Sequence, residues 1–223
     1  LGDVYKRQEW IANVKNVLKD KTPAYLVVSH MEPDHAANIQ KIAEMYPEMK
    51  IIGNAKTFSM MPQFFDFDLS NRSVVVKEGE EISLGAHTLQ FFMAPMVHWP
   101  ETMMTFDETD GVLFSGDGFG CFGTVDGGFL DTRINLDKYW GEMVRYYSNI
   151  VGKYGSPVQK ALQKLGGLPI SAICSTHGPV WTENIARVIG IYDRLSRYDA
   201  DEGVVIAYGS MYGNTEQMAE AIA

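Results

Sequence analysis

Cysteine is scarce in this chain. Cys121 and Cys174 are the two among 223 residues, and they form neither a CxxC pair nor the basis of a disulfide framework. A disulfide-stapled scaffold is therefore excluded, and a reducing compartment is the natural setting. Basic clusters are lacking as well. The formal net charge is −9 with both signs mixed along the chain, which argues against nucleic acid and anionic membranes as partners, because both need concentrated Lys/Arg. No apolar run approaches the roughly 20 residues that span a bilayer, and no signal-peptide pattern opens the sequence. A cytoplasmic protein is expected. Internal repeats and low-complexity stretches are absent too. What is present is ordinary globular material, 46% hydrophobic and 21% charged, enough for one large domain or one domain plus part of another.

The opening residues 1–8 (LGDVYKRQ) lack an initiator Met and resemble translated adapter sequence, so they are expected to be a non-native leader. Trp10, Ile11, Val14, Val17 and Leu18 recur at helical spacing. Ala24 to Val28 reads as a buried strand ending at Ser29-His30, and Ile39, Ile42, Ala43 and Met45 suggest a helix closed by Pro47. Strands are predicted at Ile51-Ile52, Val74–Val76, Leu89–Met93, Met103–Phe106, Val112–Phe114 and Ile170–Cys174. Helices are predicted over residues 137–151, with Asp137 as N-cap, and from about Thr182 to Tyr198. Residues 200–203 form a polar break, after which Val204–Tyr208 reads as a strand leading through Ser210–Thr215 into a helix. The expected organisation is one domain over residues 9–199, a linker, and the first βα unit of a second domain over residues 204–223.

The polar motifs sit where strands end, which is where rigid scaffolds place reactive groups. Five histidines are present, and four fall in three polar loops: His30-x-Glu32-x-Asp34-His35, His98 in VHWPET, and His177 in STHGP. Asp117, in FSGDGFG, follows an apolar strand directly. A loop leaving a strand can turn alternate positions such as 30, 32 and 34 to one side, while the adjacent residues 34 and 35 splay toward a second ion. The ions of a dinuclear site lie about 3.5–4 Å apart, within reach of one bridging carboxylate such as Asp117. Any single member could be a hydrogen-bonded core histidine, and Asp34 could merely cap a helix. Together they are hard to read as anything but metal ligands. His87, inside HTLQFF, has no such setting and is left as structural.

HMEPDH with the later His98, Asp117 and His177 resembles the metallo-β-lactamase fold, an α+β αββα sandwich that would here lack its first strands. More narrowly, it resembles the flavodiiron proteins. Glu32 makes the distinction, since zinc hydrolases of this fold carry histidine at that place. A carboxylate in place of imidazole hardens the site and favours iron. The resemblance implies His30, Glu32 and His98 on one iron, Asp34, His35 and His177 on the other, and Asp117 between them.

Ser210-Met211-Tyr212-Gly213-Asn214-Thr215 offers hydroxyls and backbone N–H groups at a helix start, an anion cradle, with Gly and Asn permitting the tight turn. It looks like the FMN phosphate loop of flavodoxins, and flavodiiron proteins place a flavodoxin module here. Most of that module, and the residues that would hold the flavin ring, are not in this sequence. The resemblance therefore implies an enzyme carrying two non-haem Fe and FMN. It would reduce O2 to water and/or NO to N2O, take electrons from a rubredoxin-type donor, and act as a head-to-tail homodimer or tetramer. Trp99, Phe119, Phe122 and Trp181 flank ligand loops and are candidates to line the pocket, or else core. The rivals are a metal-dependent hydrolase of the same fold and a non-catalytic binding subunit.

Overall fold

The structure, a computed structural model, describes residues 6–125 and 127–223. Most of the expected leader thus lies outside the described residues, although Arg7 and Gln8 open the first helix. In chain order the elements are α1 (Arg7–Leu18), β1 (Tyr25–Val27), α2 (Pro33–Ala36), α3 (Ile39–Met45), β2 (Lys50–Gly53), α4 (Ala55–Met60), β3 (Ser73–Val75), β4 (Glu81–Ser83), β5 (Thr88–Met93) and β6 (Met103–Asp107). They continue with β7 (Val112–Gly116), α5 (Asp137–Ile150), α6 (Gly155–Leu165), β8 (Ala172–Ser175), β9 (Val180–Trp181), α7 (Ile185–Ser196) and α8 (Asn214–Ile222).

Two sheets result. β1, β2 and β3 make a parallel sheet in that order, and β4 to β9 make a second sheet in chain order. The second sheet is antiparallel except where β8 runs parallel to β7. Side chains alternate across each strand, so neighbours feed different cores. In β2, Ile51 packs with Val28, Met31, Ile39 and Met61, under the helices that follow β1 and β2. Ile52 points the other way and joins Val76, Leu89, Phe91 and Met103 between the sheets. In β6, Met104 and Phe106 turn outward onto a core built with Met143, Val158 and Val188 of α5, α6 and α7. The layers are therefore helix, sheet, sheet, helix, the expected αββα sandwich.

Several local expectations need correction. Asp137 is the first residue of α5 rather than its cap. Leu136 takes the N-cap position, and the Asp137 N–H donates to Asn135 Oδ1 at 3.1 Å. The second of the helices predicted in this region is shorter than expected at both ends, Ile185–Ser196. Val204–Tyr208 forms no strand. Its apolar, β-branched character suits a strand, but a strand exists only as part of a ladder, and none of the described strands pairs with it. Val204 and Val205 are almost fully exposed. Helices α4 and α6 and the short strands β4 and β9 were not anticipated.

Asp131 ties the loop before α7 in place. Buried, it accepts hydrogen bonds from Thr182 Oγ1 (2.6 Å), Asn184 Nδ2 (3.0 Å) and the backbone N–H groups of Glu183 (3.1 Å) and Asn184 (2.9 Å). Burial pushes its carboxyl up, but these donors, Thr182 first, outweigh burial and draw it down to about 2. A depressed carboxylate stabilises the fold above its ordinary pKa and loses that contribution as pH falls through the folded value. Asp131→Asn should therefore cost about 2 kcal/mol at neutral pH. Its stability deficit relative to the wild type should shrink between about pH 4 and pH 2, as read by denaturant melts across that range.

Candidate metal centre

Four loops, those leaving β1, β5, β7 and β8, deliver the seven side chains to one edge of the sandwich. Ser29-His30 continues β1, and the Ser29 carbonyl accepts from the Met103 N–H of β6 at 3.0 Å, joining the two sheets beside the site. Glu32 has extended backbone (φ −60°, ψ 139°) and precedes Pro33, which starts α2. Proline suits a first helical turn, where its missing N–H leaves no bond unmade. Asp34 and His35 then lie within that turn. His98 stands between β5 and β6, Asp117 directly follows β7, and His177 lies between β8 and β9. The Asp117 loop needs left-handed backbone at Gly116 (φ 58°) and at the buried Phe119 (φ 65°). Such conformations concentrate at functional sites, where the surrounding fold compels them.

Asp117 is the hub. Its Oδ2 faces His98 Nε2 at 3.2 Å and His30 Nε2 at 3.4 Å. Its Oδ1 faces His35 Nε2 at 2.9 Å and His177 Nε2 at 3.3 Å. Glu32 Oε2 lies 2.9 Å from His98 Nε2 and 3.3 Å from His30 Nε2. The carboxylate of Asp34 lies 3.4 Å from both His35 Nε2 and His177 Nε2. The seven donors thus split into two groups, His30–Glu32–His98 and Asp34–His35–His177, with one oxygen of Asp117 turned to each. All seven residues singled out in the sequence come together.

The electrostatics call for cations. Burial alone would raise Asp117, but His177, His35 and His98 around it outweigh that and hold its carboxyl far below the ordinary carboxylate range. His98 is raised: burial lowers it, and Asp117 and Glu32 more than compensate. Asp34 Oδ1 and His35 Nε2 are buried without any hydrogen-bond partner. His35 Nε2 thus sits 2.9 Å from Asp117 Oδ1 without hydrogen-bond geometry, as expected of donors aimed at a common point rather than at each other. Two donor groups, His30–Glu32–His35–Asp117 and Asp34–His35–His177, each lie within metal-spanning distance, all ligand atoms within 4.8 Å of one another.

Other expectations fare differently. Trp181 is fully buried, stacks on Trp140 and donates Nε1–H to the Phe119 carbonyl at 3.0 Å, and Phe119 packs on Tyr192. Both are core. Trp99 meets His30 edge-on at 5.1 Å, and Phe122 meets Tyr146 at 5.0 Å. His87 bonds Asp107 at 2.8 Å, a structural pairing. Ser210 to Gly213 form a largely exposed loop with Gly213 (φ 82°) at the N-cap of α8, and Asn214 and Thr215 are the first residues of that helix.

Sequence reasoning missed three neighbours of the site. Thr176 Oγ1 donates to Asp117 Oδ1 at 2.9 Å. Tyr146 lies 5.6 Å, ring to ring, from His177, and burial first, then Asp117, raises its pKa so that it keeps its phenolic proton. Glu101, fully buried, bonds His30 Nδ1 at 2.7 Å. A glutamate beside the apolar run that becomes β6 was the available signal.

The model of the family described as ODP family beta lactamase matches residues 2–178. The chain belongs to this family. Among its relatives, a nitric oxide reductase of Moorella thermoacetica is 31% identical over 97% of this chain and 54% of its own length. The ODP family fold here superposes on that of a flavodiiron protein from Thermotoga maritima (TM-score 0.87, 27% identity, 99% of this chain and 56% of the other). It also superposes on rubredoxin oxygen:oxidoreductase from Desulfovibrio gigas (TM-score 0.86, 31% identity, 96% of this chain and 53% of the other). The flavodiiron resemblance drawn from HMEPDH and its partners holds at the level of the whole structure. The chain spans about half the length of the curated relatives it matches. No described helix is long and apolar enough to cross a membrane.

Proposed function

We propose that this ODP family chain carries the two-iron site of a cytoplasmic flavodiiron-type oxidoreductase that reduces NO, O2 or both. The observation that carries the reading is Asp117, whose two oxygens each face a separate set of imidazole and carboxylate donors. The donor set fits iron: it is rich in carboxylate, and its buried Asp34 and His35 atoms lack other partners. When bound, the iron pair supplies the electron exchange with the diatomic substrate.

The chain's own groups do the rest. His30, Glu32 and His98 would hold one ion and Asp34, His35 and His177 the other, with Asp117 facing both sets. His30 and Asp117 side chains, 2% and 1% exposed, form the floor, whereas Glu32 and Asp34, 34% and 38% exposed, form the open rim. Tyr146 retains a proton beside His177.

FMN belongs to the same proposal. The loop Ser210–Thr215, with left-handed Gly213 opening a nine-residue helix, suits one phosphate. Its surroundings are too exposed to enclose a flavin ring, so this chain alone should bind FMN weakly. The names of the relatives, flavorubredoxin and rubredoxin oxygen:oxidoreductase, make a rubredoxin-type donor the natural choice, and a head-to-tail homodimer or tetramer would bring flavin and iron together.

The test is metal content followed by turnover. Anaerobic loading with Fe(II) should give two irons per chain, and the chemically reduced protein should consume NO or O2. Two zinc ions with hydrolytic but no redox activity would replace this reading with the metal-dependent hydrolase.

A further inference from the structure

Glu101 occupies the most enclosed position near the site, with no exposed side-chain surface. Its Oε1 lies 2.7 Å from His30 Nδ1 and accepts from the Met31 N–H at 2.8 Å, while Oε2 is buried with no partner. Its backbone carbonyl accepts from Asn54 Nδ2 at 2.6 Å, and Asn54 in turn caps α4 through Thr57. The side chain is therefore pinned at both ends of its residue. Among the described residues no Lys or Arg pairs with it, and His30 is its one ionic partner. A buried carboxylate without a cation costs several kcal/mol. Here the compensating positive charge must come from beyond the His30 ring, where Nε2 faces Glu32 and Asp117.

The arrangement is also asymmetric. Among the described residues, His30 is the one histidine of the four whose Nδ1 lies on a carboxylate. His35, His98 and His177 meet carboxylates through Nε2. With Glu32, Asp34 and Asp117, Glu101 brings the carboxylates to four, which balances two divalent ions. A carboxylate behind a ligating imidazole fixes its tautomer and makes its free nitrogen a stronger donor.

We propose that Glu101 is a positioning residue that holds His30 as the Nδ1–H tautomer and biases the two metal positions apart. It makes the ion on His30, Glu32 and His98 the more tightly held and the harder to reduce. The proposal rests on the two-iron reading above.

The experiment compares the wild-type 223-residue chain with Glu101→Gln, which keeps an acceptor but loses the charge, and Glu101→Met, which loses both. Counting metal in the wild type tests the two-iron reading by itself. Imidazole 15N spectra of the zinc-loaded wild type should show a slowly exchanging Nδ1–H on His30. Metal titration should show one of two positions weakened about tenfold in Glu101→Gln and about 100-fold in Glu101→Met, the other unchanged. In the iron form of Glu101→Gln, the midpoint potential of one iron alone should rise. Fewer than two ions in the wild type defeats the underlying reading. Two ions with His30 as the Nε2–H tautomer, or a folded Glu101→Gln with wild-type affinities and potentials, overturns this proposal alone. Should neither variant fold, the wild-type tautomer still decides.

Discussion

Replacing Asp117 by asparagine should leave a folded chain that no longer holds two metal ions. The amide is nearly isosteric, and Thr176 can still donate to its oxygen, so the packing around β7 survives. What disappears is the second anionic oxygen. An amide nitrogen in its place is a donor, and it would point at either the His30–His98 side or the His35–His177 side, whose imidazoles it cannot bridge through a cation. Loss of an anionic ligand exceeds the 10–100-fold penalty typical of residues one bond further out, so an affinity loss above about 100-fold at one position is expected. On the proposed function, NO or O2 turnover should fall with it by about three orders of magnitude or more, as a reaction that requires both ions loses one. Metal analysis after dialysis, with circular dichroism to establish folding, checks both halves. Two tightly held ions in Asp117→Asn would contradict the bridging assignment.

Gly178→Ala should be among the most destabilising single-methyl changes in the molecule. Gly178 has φ +85°, and a Cβ there would collide with Cys121 Sγ and come within 3.2 Å of the Cys121 backbone nitrogen. The Cys121 N–H donates to the His177 carbonyl at 3.2 Å, so the collision lands on the contact that fixes the His177 loop. Left-handed backbone in a non-glycine residue and overpacking each cost on the order of 1–3 kcal/mol, and a combined loss of about 3 kcal/mol follows. Denaturant unfolding measures the loss, and metal counting should show the His177 position emptied first. Wild-type stability in Gly178→Ala would mean that the loop relaxes freely, contrary to this packing.

How much of this was written in the sequence follows from what kind of signal each feature leaves. The seven clustered side chains were legible because metal chemistry restricts residue type and because each of the loops that carry them leaves a strand. The αββα layering came with the resemblance carried by HMEPDH and its partners, whereas runs such as Leu89–Met93 and Met103–Phe106 marked only the individual strands. Glu101 was not, since its significance lies in a bond to a residue 71 positions away and in complete burial, neither of which a local window contains. Helix α6 escaped because it opens Gly-Ser-Pro, which reads as a turn, although proline is tolerated in a first helical turn. The strand expected at Val204–Tyr208 failed for the converse reason: its residues suit a strand, but strands are made by neighbours. Asp137 is not the cap because α5 starts at Asp137 itself, with Leu136 at the N-cap and Asn135 accepting the Asp137 N–H, a local competition that residue preference alone does not resolve.

The hydrogen bond from Met103 to Ser29 marks a seam with a thermodynamic meaning. Four donors sit within six residues beside the small sheet, while the other three arrive from the large one, so no complete coordination sphere exists until the two halves have closed. Ion capture and closure are therefore a single linked equilibrium. On the two-metal reading, bound cations would act as rivets through that joint, and a metal-starved chain would loosen there before anywhere else.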